Sequence, residues 1–114
     1  MTLADKIEAF RALVEADTRA RYAAEWEHDQ RQGNNYPLSV HEPQMICKIK
    51  MGRKYANVDV GTSGKYMVEL STGNIYGIKA YGVIHRGHQY GTLDTISEWD
   101  WGGYVAHRKQ LRAA

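Results

Sequence analysis

The sequence predicts an α+β fold, with an N-terminal amphipathic helix packed on an antiparallel β-meander of about four strands. Three patterns predict it. Apolar residues return at spacings of three and four through the first third, the period of one helix face. Through the middle they alternate with polar residues, the period of a strand with one buried side. Short glycine-rich strings separate the alternating runs. A length of 114 residues suits one core, so the chain reads as a single domain over 1–114. Its parts are a helical region at 1–32, a sheet core at 45–91 and an aromatic C-terminal segment at 92–114.

The helix is marked by Thr2 as an N-cap, Asp5 three residues on, and the stripe Leu3, Ile7, Phe10, Val14. The pattern weakens beyond Ala16 but continues through Ala20, Ala23, Ala24 and Trp26 to about Gln32. Unbroken, a helix over 3–32 would run about 45 Å, longer than a domain of this size is wide. The expectation is therefore a break near Asp17, or an overhang that packs on another chain, as in a homodimer through this helix. Glu25, Glu27 and Asp29 read as a solvated face. Gly33-Asn34-Asn35-Tyr36-Pro37 ends the helical region, and Pro43 limits any regular element before the sheet.

The first strand is expected over Met45–Met51, where Met45, Cys47, Ile49 and Met51 share a face. Lys54–Val60 alternates Ala56, Val58 and Val60 with Tyr55, Asn57 and Asp59, and Lys65–Leu70 alternates Tyr66, Val68 and Leu70 with Lys65, Met67 and Glu69. Gly61-Thr62-Ser63-Gly64 and Ser71-Thr72-Gly73-Asn74 supply the turns, and a fourth strand runs from Ile75 to about Tyr81. The string Gly61–Lys65 resembles a phosphate loop only superficially: Tyr66 follows the lysine, and strands flank it. Near the end, Trp99, Trp101 and Tyr104 around Gly102-Gly103 read as an aromatic plug closing the core or an interface. Arg108–Arg112 reads as a basic, frayed tail.

Charge is segregated along the chain. Residues 45–91 carry seven basic side chains against two acidic ones, whereas residues 1–44 carry five basic and eight acidic. That asymmetry favours an anionic or mixed-charge partner for the sheet. Tyrosine is enriched, at eight residues against one phenylalanine, as suits half-exposed contact surfaces. By alternation the wet face of the sheet displays Lys48, Lys50, Tyr55, Asn57 and Lys65, with Lys79 and Tyr81 at its end, and Arg53 and Lys54 add to the same basic set. Ammonium groups attract phosphates and rings accept unstacked bases, so this face is a candidate nucleic-acid platform. The segment Tyr81–Asp94 sets Tyr81, His85, His88 and Tyr90 among three glycines and Arg86, and is expected to be a binding loop.

Reaction signatures are sparse. His85 and His88, with Asp94, lack the partners and spacing of established zinc sites, so neither a metal nor a cofactor is expected. His85 near Tyr90 or Thr92 leaves a small hydrolase using His85 and His88 as a lesser alternative, without a nucleophile elbow or paired carboxylates, and no catalytic residue is assigned. Cys47 is the single cysteine and reads as a buried hydrophobe. No basic segment followed by an apolar run opens the chain, and no apolar run approaches the roughly 20 residues that cross a bilayer. A cytoplasmic, non-membrane protein is the expectation.

The segments Lys65–Glu69, Thr72–Gly82, and His85–His88 through Tyr90–Leu93 resemble those of small uncharacterised proteins from bacteriophages and other mobile elements, over roughly residues 54–101. The resemblance implies a source and a lifestyle rather than an activity. Small phage proteins without enzymatic motifs often bind host macromolecules, including defence complexes. Two classes of partner therefore stay open: nucleic acid or a nucleoprotein complex, met by Lys48, Lys50, Arg53, Lys54, Tyr55, Lys65, Tyr81, Arg86 and His88; and a host or defence protein, inhibited through the Tyr81–Tyr90 segment or the acidic helix.

Overall fold

The computed structural model describes residues 1–109. Thr2 caps α1 (Leu3–Arg31) reciprocally. Its hydroxyl accepts from the Asp5 N–H at 3.1 Å, and the Asp5 carboxylate accepts from the Thr2 N–H at 3.1 Å. Ile7, Phe10, Val14 and Thr18 form the buried stripe. The helix does not break near Asp17. The chain instead folds back along it: Trp26 Nε1 donates to the Tyr36 carbonyl at 2.7 Å, the Tyr22 ring packs on His41 at 5.2 Å, and Arg19 pairs with Glu42 at 2.7 Å. This return segment contains a 3-10 turn, Leu38–His41, and the single-turn helix α2 (Glu42–Met45). Contact with the chain's own return path removes the length argument for a break.

Five antiparallel strands follow, in the order β1-β2-β3-β4-β5 of a meander. They are β1 (Cys47–Met51), β2 (Tyr55–Val60), β3 (Ser63–Glu69), β4 (Asn74–Ala80) and β5 (Val83–Thr92). The first four match the expected runs to within two residues at each end, with Met45 lying in α2 instead of in β1. The fifth strand corrects the sequence reading, in which Tyr81–Asp94 is a binding loop. Only Tyr81 and Gly82 form the turn, where Gly82 adopts φ +76°, open to glycine at little cost. Strand β5 hides from pattern reading because it is an edge strand whose pairing with β4 shifts register three times, which scrambles its alternation.

One face of the sheet packs on α1. Cys47, Ala56, Val58, Tyr66, Val68, Ile75 and Tyr90 meet Ile7, Phe10 and Val14 there. The C-terminal segment enters the same core with Trp101, fully buried, whose ring lies edge-on to Phe10 at 4.7 Å and to Tyr66 at 5.2 Å. Its indole N–H donates to the Ile96 carbonyl, and its backbone N–H donates to the Asp17 carboxylate, both at 2.9 Å. Gly102 follows because the segment runs against the helix: a Cβ there would lie 2.5 Å from the Asp17 carbonyl oxygen. The plug thus holds for Trp101 and the partly buried Trp99, but not for Tyr104, which is 96% exposed. Arg108 is not frayed either. It pairs in the short ladder of β6 (Trp99–Asp100) with β7 (His107–Arg108) and contacts Glu98, and the Lys109 N–H donates to the Glu98 carbonyl at 2.8 Å, while the tail beyond Lys109 lies outside the described residues.

Glu15 ties the helix to the sheet edge. Its carboxylate accepts the Cys47 N–H at 2.9 Å and pairs with Arg11 and Arg19, each at 3.1 Å. The Cys47 hydrogen bond, aided by the Arg19 guanidinium, holds the Glu15 carboxyl below its usual value of 4.5. Cys47 itself is buried, and desolvation pushes its thiol up to about 11.

Candidate functional site

The sheet presents two sides of different chemistry, and the candidate residues divide between them. The side away from α1 is built by register. Lys48 lies opposite Asp59 and Lys50 opposite Asn57, while Tyr55 lies opposite Glu69 and Met67 opposite Tyr76. Met67 and Tyr76 are nonetheless only 3% and 7% exposed, so this outer face carries its own small apolar layer under a polar canopy. The canopy has two clusters. In one, the Lys50 ammonium sits 5.7 Å from the Tyr81 ring centroid and the Tyr81 hydroxyl donates to Asp59 at 3.1 Å. In the other, Arg86 donates to the Tyr55 hydroxyl at 2.8 Å, lies over Tyr76 at 5.6 Å and reaches Glu69 at 3.7 Å.

Arg53 and Lys54 occupy the exposed turn at the end of β1 and β2, continuing the same positive strip. Five cations (Lys48, Lys50, Arg53, Lys54, Arg86) thus accompany two carboxylates: Glu69, engaged by Arg86 and Thr72, and Asp59, whose Oδ2 accepts from Tyr81 while its Oδ1 is buried without a partner among the described residues. The Tyr81 hydroxyl is pushed up by desolvation and by its bond to Asp59. It stays a neutral donor at physiological pH.

Lys65, His85, His88 and Tyr90 are not part of this face. Strand β3 bulges at Lys65: Val58 pairs with Tyr66 and Asp59 with Gly64, leaving Lys65 as the extra residue. A bulge breaks the alternation. Lys65 consequently reaches the helix side, where its ammonium donates to the Trp101 carbonyl at 3.1 Å and lies 5.4 Å from the Tyr66 ring. Lys79, expected beside Tyr81, borders the helix side as well.

These residues line a cleft of about 840 Å³ between the middle of α1, the far half of the sheet, and the segment Gly102–Val105. Arg21 and Glu25, four residues apart on α1, form one wall and pair at 3.4 Å. The His85 and His88 imidazoles form another, stacked with centroids 3.9 Å apart and planes 7° apart. Gly77 at the centre of β4 makes room for them, since a Cβ there would lie 3.2 Å from the Tyr90 hydroxyl and 3.3 Å from the His88 Cβ. Arg21 and Gly77 carry no signal in the sequence, and Glu25 and Tyr104 read there as a solvated face and an aromatic plug, not as parts of one site. Only the crossing of the C-terminal segment brings them together.

Among the described residues no group of three or more His, Cys, Asp or Glu side chains is placed to hold a metal ion. His85 Nδ1 is buried without a hydrogen-bond partner among those residues. No helix is long and apolar enough to cross a membrane among those residues. The chain matches no family model, no curated protein and no solved structure.

Proposed function

We propose that this protein is a non-enzymatic binding module that engages a nucleic-acid strand, free or within a nucleoprotein complex, through the outer face of its sheet. The observation that carries this reading is the interleaving on one side of Lys48, Lys50 and Arg86 with Tyr55 and Tyr81, with Lys50 against the Tyr81 ring and Arg86 hydrogen-bonded to the Tyr55 hydroxyl. Cations spaced along strands match a phosphate backbone. The Tyr81 ring, 51% exposed, offers a stacking surface worth about 1–3 kcal/mol per base. A phage or mobile-element source, as the sequence resemblance implies, is part of this proposal.

A second reading, inhibition of a host or defence protein, draws on the β4–β5 hairpin tip, where Tyr81 and Val83 are 51% and 50% exposed. Fluorescence anisotropy of labelled single- and double-stranded DNA and RNA, at low and physiological salt, separates the two. Binding that weakens steeply with salt and is lost in Lys48→Glu/Lys50→Glu supports the nucleic-acid reading. Absence of binding at both salts sinks it and moves the search to host proteins captured by the immobilised domain.

A further inference from the structure

We infer that the cleft on the helix side of the sheet is a binding pocket for a phosphorylated nucleoside, its phosphate drawn to Lys65 and Lys79 and its base to the rings around His85 and His88. This pocket is independent of the outer face, and neither proposal rests on the other.

The first ground is an ammonium that forms no ion pair among the described residues, the Asp17 and Asp100 carboxylates acting on it only from beyond contact. Lys65 is half-buried, and burial holds its pKa below the usual 10.5. One of its donors serves the Trp101 carbonyl and its charge rests against the Tyr66 ring, but no carboxylate among the described residues forms an ion pair with it. A cation partly removed from water and left with donors to spare favours an anion. Lys79 adds a second positive charge at the same cleft, while the charges of Arg21 and Glu25 compensate each other.

The second ground is shape and lining. A volume of about 840 Å³ lies within the range of roughly 300–1,000 Å³ typical of small-molecule sites. Its walls carry the parallel His85–His88 pair on β5, with His88 exposed, and Tyr22 on α1, above the core rings of Tyr66 and Tyr90, which are 2% and 8% exposed. Flat π-faces beside cations recognise a base attached to a phosphate better than either part alone.

The third ground is the room left at the centre of the sheet wall. Gly77 keeps that wall open, because any side chain there would press on Tyr90 and His88.

The test is a titration of the isotope-labelled full chain with AMP, CMP, GMP and UMP, each against adenosine and inorganic phosphate, followed by amide chemical shifts. Expected are shifts at Lys65, Gly77, His85 and His88, with at least one nucleotide binding about tenfold more tightly than adenosine or phosphate, and a loss of about tenfold or more in Lys65→Met. Lys79→Ala and His88→Ala, at exposed positions, should each weaken binding and serve if Lys65→Met does not fold. A dinucleotide with and without a 5′-phosphate distinguishes the source of the ligand: preference for the phosphorylated form assigns the pocket to a strand end, and binding of mononucleotides alone assigns it to free nucleotides. No cleft shifts with any nucleotide, equal binding of inorganic phosphate, or affinity unchanged in all three variants would overturn the inference.

Discussion

The outer face and the cleft use the same residue types, lysine, arginine and tyrosine, under opposite conditions. On the outer face Lys48 and Lys50 are exposed, and Lys50 and Arg86 lean on a ring while Arg86 also reaches a carboxylate. In the cleft Lys65 is drawn inward by a bulge, partly dehydrated, and held only by a carbonyl and a ring. The first arrangement makes a broad field that salt screens and that suits an extended polyanion. The second makes a local charge that water screens less, which suits a small anion. Placement relative to the helix, more than composition, decides which role a cation on this sheet can take.

The strongest way to break this comparison is to remove what separates the two sides. Trp101 joins the helix, the sheet and the segment that closes the cleft, and it is fully buried. Trp101→Ala should cost about 3–5 kcal/mol, measured by urea denaturation, and should abolish structure on both faces together. A small loss would mean that the C-terminal segment is not part of the core.

Next in size is the charge reversal Lys48→Glu/Lys50→Glu. It should lower affinity for a single-stranded oligonucleotide by about two orders of magnitude while costing only about 1 kcal/mol of stability, because both side chains are exposed although a carboxylate at position 48 would face Asp59. Anisotropy and thermal melting on the same preparation check the two parts.

Acid provides a test of the helix-to-sheet tie. Because the folded-state pKa of Glu15 is lowered, its stabilisation is fully present above its usual 4.5 and is lost as pH falls through the lower folded value. Glu15→Gln should therefore flatten the acid limb of the stability profile below about pH 4.5, seen by circular dichroism. The smallest effect is expected at Arg86→Ala. This exposed cation should contribute under about 1 kcal/mol to stability, yet its loss should weaken oligonucleotide binding measurably.

The helix, its cap, the buried stripe and the first three strands were legible in the sequence because each obeys one period over several residues: Ile7, Phe10 and Val14 for the helix, Ala56 and Val58 for β2. What was not legible depends on departures from a period. The bulge at Lys65 moved a residue from the wet side to the helix side. The three shifts in β5 disguised a ten-residue strand as a loop. The cleft was invisible for another reason. Arg21, Lys65, His88 and Tyr104 are far apart in the chain, and no spacing rule connects them. Continuity of α1 past Asp17 likewise depended on contacts of Trp26 and Tyr22 with the return segment, which length arguments do not see.

The central claim, that the outer face meets the nucleic-acid strand, is tested most directly by amide chemical-shift mapping with a single-stranded oligonucleotide lacking terminal phosphates, at physiological salt. The account predicts shifts at Lys48, Lys50, Tyr55, Tyr81 and Arg86, with Lys65, His85 and His88 unmoved. Shifts confined to α1 or the cleft, or none at saturating oligonucleotide, would contradict it.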